Sequence, residues 1–182
     1  MTTSREDVLR AAAAVLLHRP RTPMEDIARA AGISRATLHR MVPSRAALVR
    51  ELAAFAVTQT RAALASARLE EGEPVEAVRR VVDALMPIAD LYALLSGENQ
   101  LVESTEPDGP WSELDGLLIA LYRRGQEAGA FRLDLPAEWF VDALSSMLVG
   151  ASWAVHDGRL ARRDAPRALV ELLLGGIRRG QS

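Results

Sequence analysis

Arg35, His39 and Arg40 fall within six residues of one another, with Ala36 beside Arg35 and with Ser34 and Pro43 bounding the stretch. All three carry hydrogen-bond donors, and the two arginines carry a permanent charge. Such a cluster holds an acceptor-rich anion. Elsewhere the residues that break bonds are sparse. There is no cysteine, which removes disulfides and thiolate metal sites. His18, His39 and His156 are scattered, and no pair has the i,i+4 spacing of a zinc-binding helix, so no metal and no cofactor is expected. His156 with Asp157 reads as a helix end, where a cationic imidazole suits the helix dipole. Glu70, Glu71 and Glu73 crowd a polar stretch with Gly72 and Pro74, a solvated run with nothing to mark an acid–base pair. With no G-x-S-x-G and no phosphate-cradling glycine loop either, an enzyme is not expected.

Charge is unevenly placed. The formal net charge is −2, yet residues 1–50 hold nine Arg against Glu6, Asp7, Glu25 and Asp26, leaving an acidic remainder. A basic N-terminal third on an acidic body suits one region facing a polyanion, although chance clustering on a solvated surface gives the same count. Every basic residue is Arg, read mainly as coding bias in a GC-rich genome. No apolar run reaches the ~18–20 residues of a bilayer span, so a cytoplasmic chain that does not enter membranes is expected.

These donors need elements to position them. Apolar residues make up 49% and aromatics only 4%, so the core must be Leu, Ala and Val, an alphabet that favours helices. A first helix starts at Thr3 or Ser4, where Thr3-x-x-Glu6 has capping-box spacing, and Pro20 ends it. Thr22-Pro23-Met24-Glu25 reads as a Thr cap with Pro at the first helical position. Gly32-Ile33-Ser34 is a three-residue turn, and the third helix runs from Ser34 to about Met41. Ser44 caps a long fourth helix reaching roughly Leu69, Pro74 opens the fifth, and Met86-Pro87 breaks it. A loop over 96–110 precedes helices at 111–128, 136–156 and 166–179. The expected fold is all-α, with some nine helices.

Two short helices joined through Gly-Ile-Ser make a helix-turn-helix, whose second helix enters the DNA major groove. Ile27, Ala28, Ile33, Leu38 and Val42 pin the pair to each other and to the first helix, leaving a donor-rich front. Residues 1–50 resemble the N-terminal domain of the TetR family of bacterial regulators. The resemblance rests on Asp26 through Leu38 and on Pro43-Ser44-Arg45-Ala46-Ala47-Leu48. The remainder matches in layout only, including Gly129-Ala130-Phe131-Arg132 and Pro136.

The resemblance implies a helix-turn-helix DNA-binding domain over 1–45 and a helical ligand-binding and dimerisation domain over 46–182. It also implies a homodimer that grips double-stranded operator DNA and is released by a small-molecule effector. Arg35, Ala36, Thr37, His39 and Arg40 would face the groove, and Arg45, where the family usually has Lys, a phosphate near Ser44 at the helix N-terminus. Chemistry divides the labour. Arg35 and Arg40 can each grip the O6 and N7 of guanine, worth ~1–3 kcal/mol of discrimination. Thr37 and Arg45 position the backbone, with Arg21, Thr22 and Arg5 as further backbone contacts. His39 stands where Tyr is common and Val42 where Phe is common; His39 either adds charge below ~pH 6.5 or stays neutral and hydrogen-bonds DNA.

In the body, the family layout points to Met86, Tyr92, Trp111, Tyr122 and Met147 as pocket residues, each also readable as ordinary core. Leu144, Gly150 and Ala151 of the eighth helix and Leu169, Leu172 and Leu173 of the ninth are the corresponding dimer-interface residues. Gly175-Gly176 marks either close helix packing or a helix end. A mostly apolar lining suggests a hydrophobic effector. The rival reading is an architectural or partner-regulated DNA-binding dimer with no effector, which would lack a pocket of several hundred cubic ångströms.

Overall fold

Ser4 opens the chain's first helix through a reciprocal capping box: its hydroxyl accepts from the Asp7 amide at 3.1 Å, and Asp7 accepts from the Ser4 amide at 3.1 Å. The computed structural model describes residues 4–97 and 109–179, so Thr3 and most of the expected loop over 96–110 lie outside the described residues. Among the described residues nine α-helices follow in order: α1 (Arg5–His18), α2 (Met24–Ala30), α3 (Arg35–Met41), α4 (Arg45–Ala67), α5 (Pro74–Leu85), α6 (Ala89–Ser96), α7 (Pro110–Glu127), α8 (Ala137–His156) and α9 (Ala165–Ile177). The fold is all-α.

Local chemistry sets most boundaries. Ser34 and Ser44 cap α3 and α4, each hydroxyl accepting a backbone N–H three residues on at 3.1 Å. Thr22 does not cap α2. Its hydroxyl donates to the Arg19 carbonyl at 2.8 Å, closing the preceding turn, and Pro23 stands at the N-cap instead. Pro87 converts the end of α5 into a 3-10 turn over Met86–Ile88, because it lacks the amide that an α-helix needs. Helix α4 stops at Ala67, with Arg68 in the left-handed region (φ 49°). The last carbonyls of α4 and the turn after it are taken by Arg80, which donates to Ala67 at 2.7 Å, Arg68 at 3.0 Å and Glu71 at 2.6 Å.

Two hydrophobic cores result. The first packs Val8, Leu9, Leu16, Ile27, Leu38 and Val42 beneath Leu48, Leu52 and Phe55, so its packing continues past residue 45 into α4; it also takes Leu91 and Leu94 from α6. The second joins the far half of α4 to α5, α7, α8 and α9 around Tyr122, Phe131 and Phe140. Tyr122 stacks between those two rings, at centroid distances of 5.3 and 5.0 Å. Gly125 makes room for this stack, since a Cβ there would come within 2.0 Å of the Phe131 ring. The end of α9 is fastened to the α7–α8 turn by Arg132 N–H to Ile177 O at 2.9 Å and Arg179 N–H to Ala130 O at 3.1 Å. Among the described residues no helix is long and apolar enough to cross a membrane.

Candidate nucleic-acid interface and body sites

The α2–α3 turn is built on Gly32, whose φ of +68° suits a residue without Cβ. Ile33 N–H returns to Ala28 O at 3.0 Å and Gly32 N–H to Arg29 O at 3.1 Å, closing the last turn of α2. That turn points α3 away from α2, and Leu38 and Val42 bury its back. Its front carries Arg35, Ala36, His39 and Arg40, all exposed. Among the described residues Arg35 and His39 show no side-chain hydrogen bond. Arg40 approaches Thr37 Oγ1 at 3.5 Å. Thr37 itself is half-buried and shares a 2.9 Å hydrogen bond with the Ser34 hydroxyl, so it belongs to the cap as much as to the front.

Arg45 does more than the sequence suggested. It is half-buried, and its guanidinium donates to the carbonyls of Pro20 and of Thr22, the latter at 3.4 Å. It therefore ties the first turn of α4 to the α1–α2 connection. Thr22 is buried there with its hydroxyl committed to Arg19. Ser44 remains exposed beside Arg45. Arg5 is paired with Glu51 at 2.8 Å. An open cleft of about 720 Å³ along residues 15–29 is lined by Arg19, Arg21 and Arg29, the last of these paired with Asp26 at 2.7 Å. Arg19 was not singled out from the sequence; the fold sets it in one cleft with Arg29, ten residues on.

The five pocket residues do not converge on one cavity. Tyr92 and Trp111 meet edge to face at 5.9 Å, and the Tyr92 hydroxyl shares a 3.0 Å hydrogen bond with Thr60. Burial pushes the Tyr92 phenol up to about 12, with the Asp115 charge adding to the rise and Thr60 opposing it. Tyr122 is fully buried in the core, donating to Arg132 O at 3.2 Å. Met147 is half-buried against the same core. Met86 alone of the five lines a separate cavity of about 370 Å³, with Asp83, Pro87, Asp90, Ser152, Val155, Arg162 and Pro166. In that cavity the buried Ser152 hydroxyl donates to Asp90 at 2.7 Å and Arg162 stands 3.7 Å from the same carboxylate. Ser152 and Asp90 are 62 residues apart, so no local motif announces this trio.

The six interface residues also divide. Leu144, Leu169 and Leu173 are buried in the body core, whereas Leu172 and Gly150 face outward and Ala151 is half-buried. Trp139, 56% exposed on α8, and Leu133, 68% exposed just before it, join Leu172, 72% exposed on α9, as bare apolar groups. A Cβ added at Gly150, Gly175 or Gly176 would meet nothing within 4 Å, so packing inside this chain does not require glycine at these positions.

Residues 8–52 match the family model described as bacterial regulatory proteins, tetR family. The chain is 30% identical over 174 residues to the HTH-type transcriptional regulator NfxB of Pseudomonas aeruginosa, covering 94% of this chain and 92% of NfxB. It is 28% identical to the HTH-type transcriptional repressor LfrR of Mycolicibacterium smegmatis, covering 96% and 90% of the two chains. The crystal structure of LfrR in complex with proflavine superposes with a TM-score of 0.76, at 25% identity and 97% coverage of both chains. PfmR of Thermus thermophilus, a TetR family transcriptional regulator, gives 0.67 at 26% identity, covering 97% of this chain and all of that one. The helix-turn-helix and the length over which these relatives align agree, and the chain belongs to the TetR family of bacterial transcriptional regulators.

Proposed function

We propose that the protein is a repressor that binds a near-palindromic operator as a homodimer and leaves it when a small hydrophobic effector enters the body. The observation that carries this reading is the face of α3: a buried back of Leu38 under an exposed front of Arg35, Ala36, His39 and Arg40. Arg35 and Arg40 read guanine through O6 and N7. Thr37, Ser44 and Arg45 set the docking register on the phosphates. Arg45 does so while bracing the α1–α2 turn, and Thr22 contributes by shaping that turn rather than by its committed hydroxyl.

Family members bind DNA and act as dimers, which supports pairing through α8 and α9. The exposed Trp139, Gly150 and Leu172 are the contact residues there. Leu144, Leu169 and Leu173 support the helices from behind. LfrR is a repressor and was crystallised with proflavine, which supports an aromatic effector for this chain too. Tyr92, Trp111 and the cavity beside Met86 are where it is sought. Effector binding alters the spacing of the two α3 helices, so the dimer no longer spans both half-sites.

The test is to incubate purified protein with sheared genomic DNA at near-physiological salt and sequence what is retained. Enrichment of a few sites sharing an inverted repeat is expected. Retention without a shared motif would refute operator recognition. Retained sites that no apolar compound releases would favour the partner-regulated dimer.

A further inference from the structure

The four exposed side chains at the front of α3 form an arc. At about 100° per residue, with Arg35 set at zero, His39 falls at about 40°, Ala36 at about 100° and Arg40 at about 140°. Leu38 and Met41, which pack on the head core, fall behind at about 300° and about 240°. The two arginines therefore flank the arc, and Ala36 and His39 fill its middle. Ala36 is exposed and takes no part in the head core, so packing within the chain does not require a methyl group there. We propose that Ala36 recognises the 5-methyl group of a thymine in each operator half-site, between the two guanine-bearing pairs gripped by Arg35 and Arg40. The inference rests on the repressor reading above and adds a base identity to it.

Three features carry the assignment. The first is chemistry. The Ala36 side chain neither donates nor accepts a hydrogen bond, and the 5-methyl of thymine is the apolar mark that the major groove displays. His39, its neighbour in the arc, carries ring nitrogens and suits a polar base edge or a phosphate instead. The second is shape. Long arginines at the flanks and a short side chain in the middle leave a dip in the face, and a methyl standing up from the groove floor fills it. The third is spacing on a rigid turn. Arg35 and Arg40 are five residues apart, about 7.5 Å along the helix axis, or roughly two base-pair steps of about 3.4 Å. One base pair then lies between the two guanines, opposite Ala36. The first turn of α3 is pinned by its cap, with Thr37 N–H to Ser34 Oγ at 3.1 Å and Leu38 N–H to Ser34 O at 3.0 Å. An alanine methyl on a fixed turn has no rotamer freedom to lose when it is covered, so side-chain entropy does not oppose the contact.

The test uses the full chain and the inverted-repeat duplex recovered from sheared genomic DNA. Each thymine of the half-site is replaced in turn by deoxyuridine, in both halves at once, which deletes the 5-methyl and keeps the pairing edge. Affinity is read by fluorescence anisotropy for the parent and for Ala36→Gly. Uncovering one methyl corresponds to about fourfold in affinity per half-site, so the parent should weaken on the order of fifteenfold at one thymine. Ala36→Gly should bind the unmodified duplex more weakly and show no change at that same thymine. Each comparison is a ratio within one variant, so any loss of α3 stability in Ala36→Gly cancels. Operator binding with no methyl-sensitive thymine, or with a sensitive thymine that stays equally sensitive in Ala36→Gly, would overturn this inference and leave the repressor reading standing. Retention of no shared inverted repeat by the parent would overturn both.

Discussion

The head and the body are packed from the same few side chains but use them differently. In the head, α3 buries Leu38 beneath it and leaves Arg35, His39 and Arg40 outside. In the body, long helices bury residues on broad faces, Tyr122, Phe131 and Phe140 among them, and leave apolar groups such as Trp139 and Leu172 outside. The head thus offers a surface for an anion, and the body one for another apolar surface. The contrast shows how one helical alphabet serves two kinds of recognition: what differs is the composition of the face left uncovered.

The largest expected effect falls on the body core. Phe140→Ala removes one side of the Tyr122 stack, and denaturant unfolding should show a loss of about 3–5 kcal/mol. A much smaller loss would mean the body core is looser than its packing implies. Gly125→Ala comes next, at about 1–3 kcal/mol, because the added Cβ would overlap the Phe131 ring. Ala in a helix interior is ordinarily stabilising relative to Gly, so a rise in Tm would contradict the placement of Phe131.

Tyr92→Phe deletes the hydrogen bond to Thr60 and should cost about 0.5–1.5 kcal/mol. It also carries a pH signature. A free tyrosine ionises near 10, whereas burial holds Tyr92 to about 12. The folded chain keeps that proton longer than the unfolded one. The stabilising contribution is therefore complete below about pH 10 and is lost as pH climbs toward 12. Urea midpoints at pH 9 and pH 11 should fall less steeply in Tyr92→Phe than in the parent. The smallest effect is expected at Asp115, whose carboxyl is pushed up first by burial and then by Asp142. Because the folded state prefers it protonated, Asp115→Asn should raise the urea midpoint at pH 7. That gain should shrink as pH falls through the carboxylate range.

Much of the head was legible because its signals are local. Ser34, Ser44 and Gly32 act on neighbours within a few residues, and each does what its chemistry dictates. Thr22 was misread as a cap because its hydroxyl had two nearby uses, and in the fold it closes the preceding turn on the Arg19 carbonyl. The body was legible only as a set of helices. Leu169, Leu172 and Leu173 are all apolar, and nothing in their spacing says that Leu172 alone faces out, since that depends on which helices pack behind α9. Asp90 with Ser152, and His18 with His156, are pairings of distant segments that only the assembled fold creates.

On the proposed function, α3 reads bases while the neighbouring cap grips phosphate. The most direct measurement scans each base pair of an enriched operator by fluorescence anisotropy with the parent, Arg40→Ala and Arg45→Ala. Arg40→Ala should erase discrimination at one base pair per half-site, a loss of about 1–3 kcal/mol there. Arg45→Ala should weaken binding evenly at all positions and lower the salt slope by about 1 per site. Uniform weakening by Arg40→Ala, or no change at all, would contradict the claim that α3 is the reading helix.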